Sequence, residues 1–97
     1  MNYRHLSKTG QIFIQKRVLN QVGFNNGDYL FIYNVRESIY IENQNNNQSL
    51  NKCILHNGRV SIPAEIRRLM KVTSETLLEI EIPEGINRIV INIQNNI

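Results

Sequence analysis

The chain has little of what most chemistry needs. In 97 residues there is one cysteine, Cys53, which excludes a disulfide framework and a thiolate metal cluster. It reads as a partly buried small side chain rather than a reactive thiol. The two histidines, His5 and His56, have no acid or nucleophile at a suggestive spacing, so neither points to catalysis. Ser61 has no Gly-x-Ser-x-Gly elbow around it, and no glycine-rich phosphate loop occurs. Long apolar runs are missing too. The longest, Tyr29 to Tyr33, is far too short to span a bilayer. The N-terminal Met-Asn-Tyr-Arg-His lacks the apolar centre of a signal peptide. The expectation is a cytoplasmic protein that is not an enzyme, with no cofactor, no metal, no membrane contact and no small-molecule substrate.

What is present is ordinary in amount and distinctive in arrangement. Apolar content is that of a globular protein, and the length allows one small domain. A net charge of +3 and a pI near 9.3 favour polyanionic partners. The organising stretch runs from His56 to Val72. Val60 and Ile62 alternate with polar neighbours, as in a half-buried strand. Pro63 stops the strand and suits the start of a helix. Ile66, Leu69 and Met70 then recur at helical spacing, with Arg67 and Arg68 off that apolar stripe. Arg59 points away from the face that buries Val60. One strand–helix corner thus offers three guanidinium groups.

An earlier stretch, Gly10 to Phe24, aligns with it without gaps at an offset of 48 (62 − 14). Ile14 falls on Ile62, Val18 on Ile66, Val22 on Met70, Gly10 on Gly58 and Arg4 on Lys52. The offset persists beyond the helix, with Leu30 on Leu78 and Ile32 on Ile80. A fixed-offset similarity signals a duplicated unit. Half the chain is too short to bury a stable core alone, so the two units must share one.

The expected layout is residues 1–43 as a first repeat, 44–49 as an Asn/Gln linker and 50–97 as a second repeat. The polar lead-in 1–9 is extended and a candidate edge strand. A strand at 10–14, a helix at 16–22 capped by Gly23, a turn at Asn25–Asp28 and a hairpin at 29–43 follow. The linker, polar and without apolar periodicity, buries nothing. The second repeat gives strand 58–62, helix 63–70 and strands 77–82 and 88–93. Two β–α–β–β units of this kind can close a small mostly β barrel with short helices, and closure removes exposed sheet edges. One chain then forms one barrel, or two chains intertwine to form two.

The unit resembles the swapped-hairpin fold of the AbrB-type regulators, whose relatives include the SpoVT- and MraZ-type regulators and the MazE-type antitoxins. Gly58, Arg59, Val60, Ile62, Pro63, Glu65, Ile66, Arg67 and Met70 match the family's Gly-Arg-Val-x-Ile-Pro-x-Glu-h-Arg-x-x-h pattern, and Arg68 matches the double arginine of AbrB itself. The first half matches in Gly10, Ile12, Ile14, Val18, Val22, Gly23, Gly27 and Asp28. It has Gln11, Gln15 and Leu19 where the family has Arg, Pro and Arg. The second half has Glu75-Thr76 in place of Gly-Asp. The resemblance implies a transcriptional regulator that binds double-stranded DNA and self-associates into dimers. Arg59, Arg67 and Arg68 are the implied principal contacts, since guanidinium clamps phosphate or guanine with two hydrogen bonds. Lys52 and Arg4 would neutralise phosphates, with Lys8, Lys16 and Arg17 as the first half's contribution. The alternative reading is a protein-interaction module, antitoxin-like or inhibitory, on the same fold.

Overall fold

The computed structural model describes residues 2–44 and 51–94. The expected linker lies outside the described residues except for Gln44. In chain order the first half gives β1 (Asn2–Arg4), β2 (Gln11–Phe13), α1 (Lys16–Val22), β3 (Tyr29–Val35) and β4 (Ser38–Glu42). The second gives β5 (Asn51–Ile54), β6 (Arg59–Ser61), α2 (Ala64–Leu69), β7 (Leu78–Glu81) and β8 (Arg88–Ile93). The first lead-in is an edge strand, and the second is a strand too, so each half is β–β–α–β–β, one strand more than the β–α–β–β unit. The fold is mostly β with two short helices, and no helix among the described residues is long and apolar enough to cross a membrane.

Six strands form one antiparallel sheet in the order β1-β7-β8-β4-β3-β5, and β2 pairs with β6 in a separate ribbon. The expected barrel closure is not seen. Among the described residues β1 and β5 are open edges, because β2 and β6 pair with each other instead of bridging them. The halves are nevertheless joined throughout: β1 pairs with β7, β5 with β3, β4 with β8 and β2 with β6. Ile12 faces Val60 and Ile41 faces Ile89. Each pair is separated by the repeat offset (60 − 12 and 89 − 41), so both lie on an approximate two-fold axis. All four side chains are fully buried. The ribbon, the helices and one face of the sheet feed a single apolar cluster that also includes Leu6, Phe24, Leu55 and Val72.

The gapless alignment fails in the lead-ins. Asn2 faces Ile80 and Asn51 faces Ile32. The partners differ by 48 (80 − 32) but the lead-in residues by 49 (51 − 2). The extra residue sits in the turn after β1. There Ser7 N–H donates to the Gln11 carbonyl at 2.8 Å, whereas in the second half His56 and Arg59 bond each other at 3.1 and 2.9 Å, closing a turn one residue shorter. Leu6 therefore corresponds to Leu55, both buried, and Arg4 corresponds to Cys53 rather than to Lys52.

The helices follow from local chemistry. Gln15 (φ −62°, ψ 146°) and Pro63 (φ −54°, ψ 140°) precede α1 and α2 in the same backbone conformation. Pro63 thus caps its helix from outside rather than occupying the first turn. Gly23, at φ 77°, ends α1 as expected, and Phe24 N–H reaches the Leu19 carbonyl at 2.9 Å in a Schellman-type closure. Val72 N–H repeats this to the Arg67 carbonyl at 2.9 Å, with Lys71 forced to φ 57° where Gly23 stands. On α2 only Ile66 is buried. Leu69, placed on the apolar stripe by its spacing, is 62 % exposed because a helix of six residues has one core-facing turn.

Large-to-small changes in the shared core cost roughly 2–5 kcal/mol. Ile14→Ala and Ile62→Ala are each expected to lower the melting temperature by ten degrees or more on the order-of-magnitude scale for a domain of this size; unchanged melting of a folded variant would place the residue outside the core. Gln15→Pro is expected to stabilise by about 0.4–1 kcal/mol, since the backbone already holds the proline conformation, and chemical denaturation checks it.

Candidate nucleic-acid interface

Two glycines set the geometry of the ribbon. Gly10 and Gly58 have φ of 86° and 74°. Their carbonyls accept hydrogen bonds from Ile62 N–H at 2.9 Å and Ile14 N–H at 2.8 Å, so each half closes the ribbon end of the other. Neither glycine has room for a side chain. A Cβ on Gly10 would lie 2.5 Å from the guanidinium carbon of Arg67, and one on Gly58 would lie 2.9 Å from the Phe13 ring. Arg67 and Phe13 are therefore laid flat over backbone of the opposite half.

Arg67 is half-buried, and its Nε donates to the Ile62 carbonyl at 3.0 Å. It is not simply a solvated side chain off the apolar stripe. It takes the position that Leu19 fills with a buried side chain in the first half. Arg59 is exposed on β6, opposite Phe13. Its guanidinium carbon lies 5.7 Å from the centre of the Phe13 ring, and that of Arg4 lies 5.4 Å from it. The ring thus gathers two arginines from different halves, a cation–π arrangement worth about 0.5–1 kcal/mol per pair at exposed sites. Arg68, Lys8, Lys16 and Arg17 are exposed. Lys52 is exposed elsewhere on the surface, with its Nζ 4.6 Å from the Tyr29 ring centre. The predicted residues therefore fall into a pair over Phe13 (Arg4, Arg59), Arg67 over Gly10 at the other end of the ribbon, and more scattered cations.

Charge is sorted by element. Residues 2–24 and 51–72, which form the lead-in strands, ribbon and helices, contain Arg4, Lys8, Lys16, Arg17, Lys52, Arg59, Arg67, Arg68 and Lys71 against Glu65 alone, a balance of +8 (9 − 1). Residues 25–44 and 73–94, which form the hairpins, contain Arg36 and Arg88 against seven acids, a balance of −5 (2 − 7). Among the described residues none of the nine basic-layer cations has a carboxylate within ion-pair distance. Arg88, in the hairpins, pairs with Glu42 at 2.8 Å, and Tyr33 Oη donates to the same carboxylate at 2.8 Å. The one ion pair among the described residues thus lies in the hairpins, and the cations of the lead-in strands, ribbon and helices are left without one.

Comparison of the chain with family models, curated proteins and solved structures finds no match.

Reasoning on the sequence missed Phe13 and Tyr29, the aromatic platforms under the cations. Phe13 was findable, because alternation with buried Ile12 and Ile14 turns it outward. Among the described residues no group of three or more His, Cys, Asp and Glu side chains gathers to hold a metal. Burial pushes the Cys53 thiol pKa up, against a smaller lowering by a backbone hydrogen bond involving Ser61. The proton is thus held more tightly in the folded state. This contribution to stability is fully present below the unfolded thiol's pKa and is lost as pH rises through the raised value. Cys53 is expected to react with a disulfide reagent more slowly in the native protein than in denaturant at pH near 8; equal rates would contradict the shielding.

Proposed function

We propose that the chain is a sequence-dependent, non-enzymatic regulator of the AbrB type that binds duplex DNA through its basic strand–helix layer. The observation that carries this reading is the segregation of charge: +8 on residues 2–24 and 51–72, which build the lead-in strands, ribbon and helices, and −5 on residues 25–44 and 73–94, which build the hairpins. A surface with uncompensated guanidinium and ammonium groups gains affinity for phosphates by releasing their counterions. Arginine adds bidentate recognition of guanine.

The fold is read as a swapped-hairpin unit in which two halves of one chain take the places of two subunits. Strand exchange between the halves and hairpin-to-hairpin pairing through β4 and β8 support it. Arg59 and Arg68, both exposed, are the base-reading candidates. Arg67 offers its remaining N–H groups from a fixed perch, since its Nε is committed to the Ile62 carbonyl. Arg4, Lys8, Lys16, Arg17 and Lys52 neutralise phosphates.

The test is a salt titration of binding to duplexes selected from random sequence, using single alanine variants with melting measured in parallel. Arg59→Ala or Arg68→Ala is expected to cost about 1–3 kcal/mol and to relax preference at one base position. Lys8→Ala or Lys16→Ala is expected to weaken all sequences alike and lower the salt slope by about one. Arg59→Ala and Arg68→Ala should melt within about 0.5 kcal/mol of the parent, whereas Arg67→Ala should lose about 1 kcal/mol with its hydrogen bond. If Arg59→Ala and Arg68→Ala bind every duplex as the parent does, the basic layer is a solvated face. The protein-interaction reading then takes over, favoured by exposed Leu69 and the cavity of about 430 Å³ that it lines with Met70 and Ile93.

A further inference from the structure

Phe13 and the asparagines beside it stand apart from the rest of the basic layer. The ring is 39 % exposed, yet it cannot turn inward, because it lies against Gly58. It forms one wall of a cavity of about 290 Å³ whose polar lining includes Lys16, Asn20, Asn25, Asn26 and Asn57. Asn26 Oδ1 accepts from Gly58 N–H at 3.0 Å, which fixes that side chain and leaves its NH₂ to donate. The side-chain amides of Asn20 and Asn25 have no hydrogen-bond partner among the described residues. Arg4 and Arg59 lie within 5.4 and 5.7 Å of the ring centre, outside the cavity lining. Arg4 Nε is shielded from solvent with no acceptor, a donor left over by the fold itself.

The second half does not repeat this arrangement. At the repeat offset, Phe13, Lys16, Asn20, Asn25 and Asn26 become Ser61, Ala64, Arg68, Thr73 and Ser74. The cavity is therefore not a by-product of the duplicated fold. An aromatic face stacks on a base face, and paired amide donors and acceptors match the hydrogen-bonding edge of a base. Arginine and lysine take the attached phosphate. Intact B-form duplex offers base edges in its grooves but no base faces, so it cannot use the ring and the cavity together. A base out of the stack offers both.

We propose that this cavity binds a nucleotide of a DNA strand whose base has left the stack, as at a bulge, an opened base step or a single-stranded end. The proposal rests on the DNA-binding reading above and adds a preference for unpaired bases, located in the first half.

The experiment compares binding of a fully paired short duplex, the same duplex carrying a bulged adenine, and the single strand, by fluorescence anisotropy at physiological salt. The proteins are the parent, Phe13→Leu, Phe13→Tyr and the double variant Asn20→Ala/Asn25→Ala, each checked for melting. The parent is expected to bind the bulged duplex about tenfold more tightly than the paired one, the scale of one base–aromatic stack. Phe13→Leu should abolish that preference, read as the ratio of bulged to paired affinity, while Phe13→Tyr keeps it. The double asparagine variant, altered only at exposed positions, should reduce the preference with normal melting, and it decides the matter if Phe13→Leu fails to fold. Equal binding of bulged and paired duplex by the parent, or an undiminished preference in Phe13→Leu or in the asparagine variant, overturns the unstacked-base site and leaves the duplex reading standing. Absence of binding to any DNA overturns both. Competition by free deoxyadenosine monophosphate as effective as the single strand at equal nucleotide concentration overturns the assignment to a strand.

Discussion

The structure depends on two reciprocal hydrogen bonds, Ile14 N–H to the Gly58 carbonyl and Ile62 N–H to the Gly10 carbonyl. They fasten the ribbon that neither half can make alone and bring Ile12 and Val60 together on the approximate two-fold axis. Both acceptors belong to glycines at positive φ, a conformation costly for residues with a Cβ. The absence of Cβ has a second effect. It opens the space over the backbone that Arg67 occupies on one side and Phe13 on the other. The constraint that closes the core therefore also lays down the two side chains that define the surface above it.

From that clamp outward the two halves diverge. Where the second half has Pro63, the first has Gln15 in the same backbone conformation. Where the first ends its helix on Gly23, the second strains Lys71 into the left-handed region. Leu19 is buried where Arg67 is half-buried and hydrogen-bonded. Each exchange keeps the backbone and changes what it presents. The hairpins underneath meet through β4 and β8, which align Ile41 with Ile89, but their own registers differ by two residues, Ile32 facing Ile41 in one and Ile80 facing Ile91 in the other. Their outer face is occupied by a closed polar set in which Tyr33, Glu42, Arg88 and Tyr40 engage one another. Positive charge is thereby left to the other layer.

Much of this was legible in the residues. Helical spacing located α2, the fixed offset carried it to α1, alternation located the second hairpin, and Gly23 marked the cap of α1. Other features were not legible, for physical reasons. The lead-ins carry almost no apolar pattern, so the only sign of the longer first turn was the match of Leu6 with Leu55, and a gapless alignment missed it. Leu69 satisfies helical spacing, yet its helix is too short to bury more than one face. Barrel closure was inferred from the need to protect edges, but the strands able to bridge the edges are three residues long and pair with each other. The sorting of charge is written in the order of residues, but it becomes visible only once the ribbon and helices are known to share a layer.

The one-residue difference between the turns has the widest effect on the candidate site. It shifts Arg4 out of correspondence with Lys52 and into correspondence with Cys53, so the two lead-in strands keep the same in–out alternation, with the cation at a half-buried position in one and at an exposed position in the other. Arg4 comes to rest over Phe13 with its Nε sheltered. Lys52 faces outward over Tyr29, and Cys53 packs against the core. An approximate two-fold axis thus relates the backbones without relating the cations. Under the proposed DNA-binding reading, such a surface would not meet a palindrome with equal halves. The second half would offer arginines suited to groove edges. The first would offer an aromatic ring, amides and scattered lysines. Within one folded unit, two halves of the same backbone layout differ by one residue in the lead-in turn and by exchanges such as Phe13 for Ser61 and Asn20 for Arg68, and so present two adjacent surfaces of different chemistry.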